Sequence, residues 1–481
     1  MSSDILDSSE AGGRYLRGGG LRLVAYCAGL LVGLGVTPFV VRHLHSVGWG
    51  HYVAVNALIF IVGALTEGGL ANLGVRELST ADEPERREYM RSLLGLRLAL
   101  TAVGTACAIG FELLTGSETV LVEGTAIACV GLLLTNLQLT LALPLTAELR
   151  LGWLAVCDFL GQTITAAAML TLVLLGASLL PFFAVTAIAT TVTLALVVML
   201  VRNQLTLRPA FHPSRWRALL SDSIVYSAAT ALGVVYFRLV VVATNLLTSA
   251  HQTGYFGLGF RIIDIVNAIP WLLVTSAFPI LARAARDDID RLNYALQRLF
   301  EGGLILGGWI ALGLFVGAPF AIEVLGGASF HPSVAVLRIL ALGVPATFLV
   351  ATWAFALLSL KRYRELIVVN GVIVVLAIVL CAVLIPAFGA RGGAIVTATL
   401  EVTLAIGYVF ALTRGHPDLR PRLGQTPQIA LALALAFAAA LVLPVHPVIA
   451  VAIGSLVFAA ILMTLGALPD ELIQALAHRR D

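Results

Sequence analysis

Charged side chains lie inside a stretch of this sequence that is apolar enough to cross a membrane. The run "GYFGLGFRIIDIVNAIPWLL", from Gly254 to Leu273, carries Arg261, Asp264 and Asn267 at intervals of three residues. On a helix this spacing turns the three side chains toward one face. An arginine at the centre of a membrane helix costs about 2.5–3.5 kcal/mol, so we expect this face to border a water-filled cavity or a charged partner.

The preceding apolar run contains a second arginine. Arg238 lies nine residues before Leu247 and Arg261 lies six residues after Tyr255, which places them roughly 13 Å and 9 Å into the membrane at about 1.5 Å per residue. A guanidinium group suits a pair of phosphate oxygens, so the two arginines predict a cationic site for a pyrophosphate, with Asp264 holding Arg261 until phosphate arrives. The competing interpretation is that Arg261 and Asp264 only neutralise each other and fix their helix in the bundle.

Three acids lie within apolar runs and are candidates for coupling to an ion. Glu401 is near the middle of its run and is the best candidate for a proton or Na+ site. Asp158 is only a few residues into its run, so we expect its side chain to extend to the cytoplasmic surface. Glu67 lies about two turns from a cytoplasmic end, and we expect it to pair with Arg76 or Arg22.

Three other arginines lie at the ends of apolar runs. Arg42 is at the predicted outer mouth, where it is a candidate contact for a departing sugar phosphate or an interfacial anchor. Arg97 and Arg338 are close to predicted span ends, and we expect both side chains to extend to the membrane surface.

The composition indicates that these residues belong to a polytopic membrane protein. Of 481 residues, 59% are hydrophobic and 12% are charged, whereas soluble proteins carry about 25% charged residues. We expect an all-α integral membrane protein with about 14 transmembrane helices. The predicted spans are 21–41, 52–73, 93–111, 120–143, 154–176, 180–201, 222–247, 255–281, 300–325, 334–360, 366–386, 392–413, 427–443 and 448–466.

The positive charges predict the orientation of these spans. Arginine clusters precede the first span and follow the second, sixth, eighth, tenth and twelfth, whereas the alternate loops hold only Arg42 and Arg391. Positively charged loops stay in the cytoplasm. Both termini are therefore predicted to be cytoplasmic, which requires an even number of spans.

A weak internal repeat predicts two halves. Spans one and two resemble spans seven and eight at an offset of about 205 residues, with a short outer loop ending in glycine and an aromatic residue in each. Since six spans separate the copies, we expect two six-helix lobes related by a pseudo-twofold axis along the membrane normal. The predicted parts are an N-lobe (1–201), a cytoplasmic linker (202–221), a C-lobe (222–413), two further helices (414–466) and a cytoplasmic amphipathic tail (467–481).

Several stretches resemble the polysaccharide transporter family. They are "GLANLGVREL", "TGYFGLGFRIID", "FPILAR", "VLRIL" and "LIPAFGARGGAIVTATLE", in that order along residues 20–415. The superfamily that this resemblance indicates also includes MATE exporters and lipid II flippases. One departure is Val240, which stands where an acidic residue is expected in an "FRLD"-like stretch, so an ion-coupling role cannot be transferred to that position.

The resemblance implies a function without catalysis. The implied activity is alternating-access flipping of an undecaprenyl-pyrophosphate-linked oligosaccharide from the cytoplasmic to the outer leaflet of a bacterial inner membrane. The implied partners are that lipid-linked glycan, membrane lipid and candidate glycan polymerase or assembly proteins, with a monomeric transport unit, no nucleic acid and no cofactor beyond a coupling Na+ or H+.

Alternative functions are a cation-coupled, MATE-like exporter of small amphiphiles and a lipid II-type flippase. Two arginines against one acid in spans seven and eight favour an anionic cargo over a cationic one. A glycan polymerase or ligase needs a large outer loop, and every predicted outer loop is short. The sequence also has no nucleotide-binding glycine loop and no His/Glu cluster with metal-ligand spacing.

Overall fold

The computed structural model describes residues 9–67, 69–80, 82–202, 209–211, 213–442 and 444–466, and all regular secondary structure in these ranges is helical. The first eight helices are α1 (Ser9–Glu67), α2 (Leu70–Thr80), α3 (Glu83–Leu114), α4 (Thr119–Leu141), α5 (Leu143–Ala147), α6 (Leu151–Leu174), α7 (Leu180–Val201) and α8 (Pro213–Leu247). The other eight are α9 (Ala250–Val266), α10 (Ala268–Asp287), α11 (Ile289–Gly326), α12 (Ser333–Ser359), α13 (Tyr363–Phe388), α14 (Ala390–Gly415), α15 (Thr426–Val442) and α16 (Pro447–Thr464).

The described helices agree with the predicted number of membrane spans. Twelve continuous segments are long and apolar enough to cross a membrane. One of these segments, in α1, contains two helical arms, because the backbone at His45 (φ 55°, ψ −175°) is not helical. The 17-residue α15 is a shorter apolar helix. Counting the arms separately and including α15 gives fourteen crossings, and the all-α membrane fold is confirmed.

Several helices differ from the predicted spans at their ends. α3 begins at Glu83 and α8 begins at Pro213, each about ten residues before the predicted start of its span, because polar turns continue a helix beyond the apolar part that hydropathy detects. The predicted eighth span is divided at Asn267 into α9 and α10. Pro270 has no N–H for the carbonyl of Val266, four residues earlier, which explains a break at this point.

The chain forms two compact units, residues 1–242 and residues 243–481. The division falls inside α8, whereas the predicted division lies in the linker 202–221. Residues 213–221 of that linker belong to α8. The lobe boundaries, the cytoplasmic linker and the pseudo-twofold axis therefore remain predictions, and the predicted tail 467–481 lies outside the described residues.

Corresponding helices pack together in the same order within each unit. In the first unit α3 packs against α4, α4 against α7 and α6 against α7. In the second unit α11 packs against α12, α12 against α14 and α13 against α14. These are spans three to six and nine to twelve of the predicted numbering, so the helix contacts support the sequence repeat.

Left-handed backbone conformations also recur at a constant spacing. Three positions with positive φ in the first unit have counterparts 211, 212 and 213 residues later: Gly116 and Gly327, Leu149 and Lys361, Gly176 and Gly389. A side chain other than glycine is disfavoured in this conformation by roughly 1–2 kcal/mol. Its use at Leu149 (φ 56°) and again at Lys361 (φ 58°) is therefore strong support for an internal duplication.

The last two helices, α15 and α16, pack on α11 within the second unit through a small apolar core. Side chains of α15 and α16, such as Ala436 and Phe458, bury Leu312 of α11 completely. Trp309 of α11 donates a hydrogen bond from Nε1 to the Ser455 hydroxyl at 2.9 Å. The helix pair is therefore integrated with α11 by both apolar and polar contacts.

The first turn of α8 and the segment before it contact α3. The Ala210 N–H donates to the carbonyl of Arg91 at 2.9 Å, and Trp216 Nε1 donates to the carbonyl of Ser92 at 3.1 Å. Gly95 permits this contact, because a Cβ atom at that position would lie 2.2 Å from the Ala210 carbonyl oxygen. The start of α8 is therefore fixed to α3 within the first unit.

Candidate functional site

The first unit contains a cavity of about 420 Å³. Its lining comes from the second arm of α1, from α4 and α7, and from α8. Phe60, Phe182 and Phe183 supply aromatic surface, and Asn56 and Asn136 supply polar groups. A cavity of this size, mostly apolar with a few polar side chains, is typical of a ligand site.

Arg238 lies beside this cavity. Ala231 and Val234 of α8 line the cavity, and Arg238 follows Val234 by four residues, which places it on the same face of the helix. Its guanidinium carbon lies 4.5 Å from the centre of the Phe60 ring, and Phe60 is itself a lining residue. This cation–π contact holds a positive charge next to the cavity within the predicted span.

Glu67 lines the same cavity near the end of the second arm of α1. Its carboxylate accepts hydrogen bonds from the backbone N–H groups of Gly69 at 3.2 Å and Ala71 at 3.3 Å. These N–H groups lie at the start of α2, where the helix dipole favours a negative charge. Glu67 therefore caps α2 and also presents an acid to the cavity.

The partner of Glu67 is Arg97, so the predicted pairing with Arg76 is wrong. Arg97 Nη2 lies 3.9 Å from Glu67 Oε1, whereas Arg76 pairs with Glu77 at 2.8 Å on an exposed surface. The side chain of Arg22 lies outside the described residues. The misassignment follows from a missed contact with α3, which sequence spacing does not indicate.

Arg97 is buried, and the prediction that it extends to the membrane surface is also wrong. Its side chain is 1% exposed, and Nε, Nη1 and Nη2 have no hydrogen-bond partner among the residues that the structure describes. The predicted span began at residue 93, but α3 begins at Glu83, so Arg97 lies near the middle of a long helix. Glu67 is thus a counter-charge for this buried guanidinium.

A hydrogen-bonded network next to this pair connects three helices and was not predicted from the sequence. Asn136 of α4 donates from Nδ2 to Thr66 Oγ1 at 3.2 Å and to Thr101 Oγ1 at 2.8 Å. Thr101 of α3 in turn donates to the carbonyl of Arg97 at 2.7 Å. The available signal was an asparagine within a strongly apolar run, because such residues commonly hydrogen-bond between membrane helices.

In the second unit, Arg261 and Asp264 form the pair that their spacing predicts. Arg261 Nη1 lies 3.8 Å from Asp264 Oδ2, and their side chains are 40% and 21% exposed. Asn267 lies at the junction of α9 and α10, and its buried Oδ1 has no hydrogen-bond partner within the described part of the chain. The pair is therefore accessible and next to a helix break.

Glu401 is buried in α14 and is 4% exposed. Its carboxylate accepts a hydrogen bond at 3.0 Å from the hydroxyl of Thr347, which lies on α12. A carboxyl group at this depth with a hydroxyl partner is chemically able to hold a proton or bind a cation. Its role in ion coupling stays a prediction.

The remaining candidates lie on α1, α6 and α12. Arg42 is exposed and lies three residues before the break at His45 in α1. Asp158 is half-buried on α6. Arg338 of α12 donates from Nε to the carbonyl of Phe315 at 3.3 Å, so its guanidinium has a partner on α11. Across the described ranges, no group of three or more His, Cys, Asp or Glu side chains could hold a metal ion.

Comparison with models of protein families identifies the family of this chain. The model of the polysaccharide biosynthesis protein family matches residues 15–285, which is more than half of the sequence. The chain belongs to this family. The matched region includes the cavity of the first unit, Arg238 and Arg261, and the family resemblance stated from the motifs is confirmed.

Solved structures share the fold of this family member at low sequence identity. A lipid II flippase MurJ in an inward closed conformation has a TM-score of 0.76 at 14% identity, covering 92% of this chain and 97% of its own. An inward-facing MATE transporter of the MOP superfamily has a TM-score of 0.65 at 12% identity, covering 83% and 98%. A MOP superfamily transporter from Pyrococcus furiosus has a TM-score of 0.53 at 16% identity, covering 85% and 95%. No curated protein matches the sequence significantly.

Proposed function

We propose that this protein is a flippase that moves an undecaprenyl-pyrophosphate-linked oligosaccharide from the cytoplasmic to the outer leaflet by alternating access. The observation that carries the proposal is the guanidinium group of Arg238, held 4.5 Å from the ring centre of the cavity residue Phe60. A positive charge is costly inside a membrane span and is usually functional there. A pyrophosphate is the cargo group that such a charge suits best.

Membership of the polysaccharide biosynthesis family and a fold shared with a lipid II flippase support the same function. In this proposal Arg238 and Arg261 bind the pyrophosphate, Asp264 and Asn267 adjust the position of Arg261, and Arg42 contacts the cargo as it leaves. The 40% exposure of the Arg261 side chain leaves it accessible to a ligand.

The setting of the proposed function is a bacterial inner membrane with both termini in the cytoplasm. Glu401 is the first candidate for coupling to Na+ or H+, since its carboxylate is buried and accepts a hydrogen bond from the Thr347 hydroxyl. Asp158 and Glu67 are weaker candidates, because Glu67 already caps α2 and faces Arg97. The partners proposed are the lipid-linked glycan, membrane lipid and glycan assembly proteins around a monomeric transport unit.

The test is transport by purified protein in liposomes. An undecaprenyl-pyrophosphate-linked saccharide is placed in one leaflet, and its appearance in the other is measured with a membrane-impermeant lectin. We expect Arg238→Ala to slow flipping at least tenfold. Arg238→Lys should restore only part of the lost flipping rate, because lysine keeps the charge but not the planar guanidinium group that binds two phosphate oxygens. Arg286→Ala is the control, since Arg286 is paired with Asp287 on an exposed surface.

Equal rates for wild type and Arg238→Ala would remove the observation on which the proposal depends. Failure of the wild-type protein to move the lipid, while it moves an organic cation along a Na+ or H+ gradient, would replace it with the exporter alternative. That alternative is favoured by the buried Glu401–Thr347 pair and by the fold shared with MATE transporters. Efficient flipping of lipid II alone would instead indicate the lipid II-type alternative.

A further inference from the structure

The hydrogen bonds around the cavity of the first unit determine which polar atoms it offers to a ligand. The hydroxyl groups of Thr66 and Thr101 donate to the carbonyls of Gly63 and Arg97 at 3.2 Å and 2.7 Å. Each hydroxyl can therefore only accept from Asn136. This orients the Asn136 amide, because both of its N–H groups are used by the two threonines, and its Oδ1 remains as an acceptor at the cavity.

Asn56 and Glu67 add acceptors of the same kind. The Asn56 amide donates to the carbonyl of Tyr52 at 2.7 Å, so its Oδ1 is available on the cavity lining. The carboxylate of Glu67 has acceptor capacity beyond its two backbone N–H contacts, because a carboxylate has about four lone-pair sites. Three side chains from two helices thus present hydrogen-bond acceptors to one space.

The charges near the cavity disfavour a cation as the occupant. Glu67 lies 3.9 Å from the guanidinium of Arg97, so the positive charge of Arg97 balances the negative charge of the carboxylate. Arg238 adds a positive charge beside Phe60. The surroundings are therefore neutral to positive and rich in acceptors, which suits neutral hydroxyl donors better than a cation.

Aromatic rings complete the site. Phe60, Phe182 and Phe183 line the cavity together with the acceptor groups. A sugar ring has hydroxyl donors around its edge and apolar C–H groups on its faces. The combination of acceptors, aromatic surface and a cavity of about 420 Å³ fits a single pyranose unit of this description.

We propose that this cavity binds the first sugar of the cargo, a neutral hydroxylated pyranose attached directly to the pyrophosphate. Asn56, Asn136 and Glu67 accept its hydroxyl protons, while Arg238 at the edge of the cavity binds the adjoining phosphate. Arg97 is a positioning residue, since its guanidinium lies 3.9 Å from the Glu67 carboxylate and balances its charge. This inference rests on the proposed flippase function and specifies which part of the cargo the first unit recognises.

The test compares two lipids on the purified full-length protein in detergent. The probes are undecaprenyl pyrophosphate and the same lipid carrying one galactose, and dissociation constants are measured by titration. Asn56→Leu removes one acceptor at little structural cost, because its hydrogen bond is to its own helix. Thr191→Val is the matched control, since the Thr191 hydroxyl bonds its own helix on an exposed face.

We expect wild type and Thr191→Val to bind the galactosyl lipid more tightly than the bare lipid. Asn56→Leu should lose about 2- to 12-fold in affinity for the galactosyl lipid, the value of one hydrogen bond, with unchanged affinity for the bare lipid. Loss of affinity for both lipids alike, or no preference in wild type, would overturn the sugar subsite and leave the flippase proposal intact. Binding of neither lipid would overturn both proposals.

A cation is tested separately by adding NaCl to the protein without lipid. A rise in the thermal unfolding temperature that is seen in wild type and abolished by Asn56→Leu and by Asn136→Leu would identify the cavity as a cation site and overturn the sugar subsite. We expect no such rise, because Arg97 already balances the charge of Glu67.

Discussion

The pair formed by Glu67 and Arg97 leads to a quantitative prediction about stability. Arg97 is 1% exposed, and Glu67 Oε1 is 3.9 Å from its Nη2. At an effective dielectric constant of about 20, two charges at this distance attract by about 4 kcal/mol. Because the Glu67 side chain is 34% exposed, solvent screening reduces this value, and we expect Glu67→Gln to cost about 2–4 kcal/mol.

The companion variant is Arg97→Met, which removes the buried charge and keeps a similar side-chain volume. Glu67 then retains its two backbone hydrogen bonds and its contact with the cavity, so this variant should cost less than about 1 kcal/mol. The double variant Glu67→Gln/Arg97→Met should recover most of the stability lost in Glu67→Gln, because no guanidinium is left without a counter-charge. This recovery is the signature of direct coupling.

The measurement is thermal unfolding of the purified protein in detergent. A loss of 2–4 kcal/mol corresponds to a fall in Tm of about 4–16 °C for a unit of this size. Glu77→Gln is the matched control, since Glu77 pairs with Arg76 on the surface and such pairs contribute about 0–1 kcal/mol. A fall in Tm for Glu67→Gln no larger than for Glu77→Gln, or a double variant no more stable than Glu67→Gln, would show that the two charges are not coupled.

Three further predictions concern transport and packing. Arg261→Ala should slow flipping at least tenfold without lowering Tm by more than about 2 °C, because the partly exposed pair with Asp264 contributes little to stability. An unchanged flipping rate would exclude Arg261 from the pyrophosphate site. Glu401→Gln should make flipping independent of a Na+ or H+ gradient, and a variant that still responds to the gradient would exclude Glu401 as the coupling site. Gly95→Val should destabilise the protein by about 1–3 kcal/mol in thermal unfolding, because its Cβ would collide with the Ala210 carbonyl; a stability equal to wild type would mean that this contact is dispensable.

Much of the fold was predictable because a membrane span is a strong signal. Each crossing needs about 20 apolar residues, and the number of crossings and the all-α class agree with the structure. The ends of the helices were less predictable. α3 continues through the polar residues 83–92, where hydropathy no longer distinguishes helix from loop, and this error made Arg97 look like a residue at a span end.

The candidate site was predictable only in part. Arg261 and Asp264 are neighbours on one helix, so their spacing was sufficient to predict the pair. The contacts of Glu67 with Arg97 and of Asn136 with Thr66 and Thr101 join residues that are distant in sequence. Such contacts depend on how α1, α3 and α4 face one another, and a single sequence contains little information about helix rotation.

The docking of Ala210 and Trp216 on α3 has a consequence for how the chain assembles during synthesis. Residues 1–201 contain the first six predicted crossings, but Trp216 and Leu219 from the start of α8 pack against the apolar cluster that contains Leu93 and Leu96. The nascent first half is therefore incomplete when its sixth crossing enters the membrane. Two coexpressed fragments that are to reassociate into one protein should accordingly be separated after α8, at Thr248–Ser249, instead of within residues 202–221.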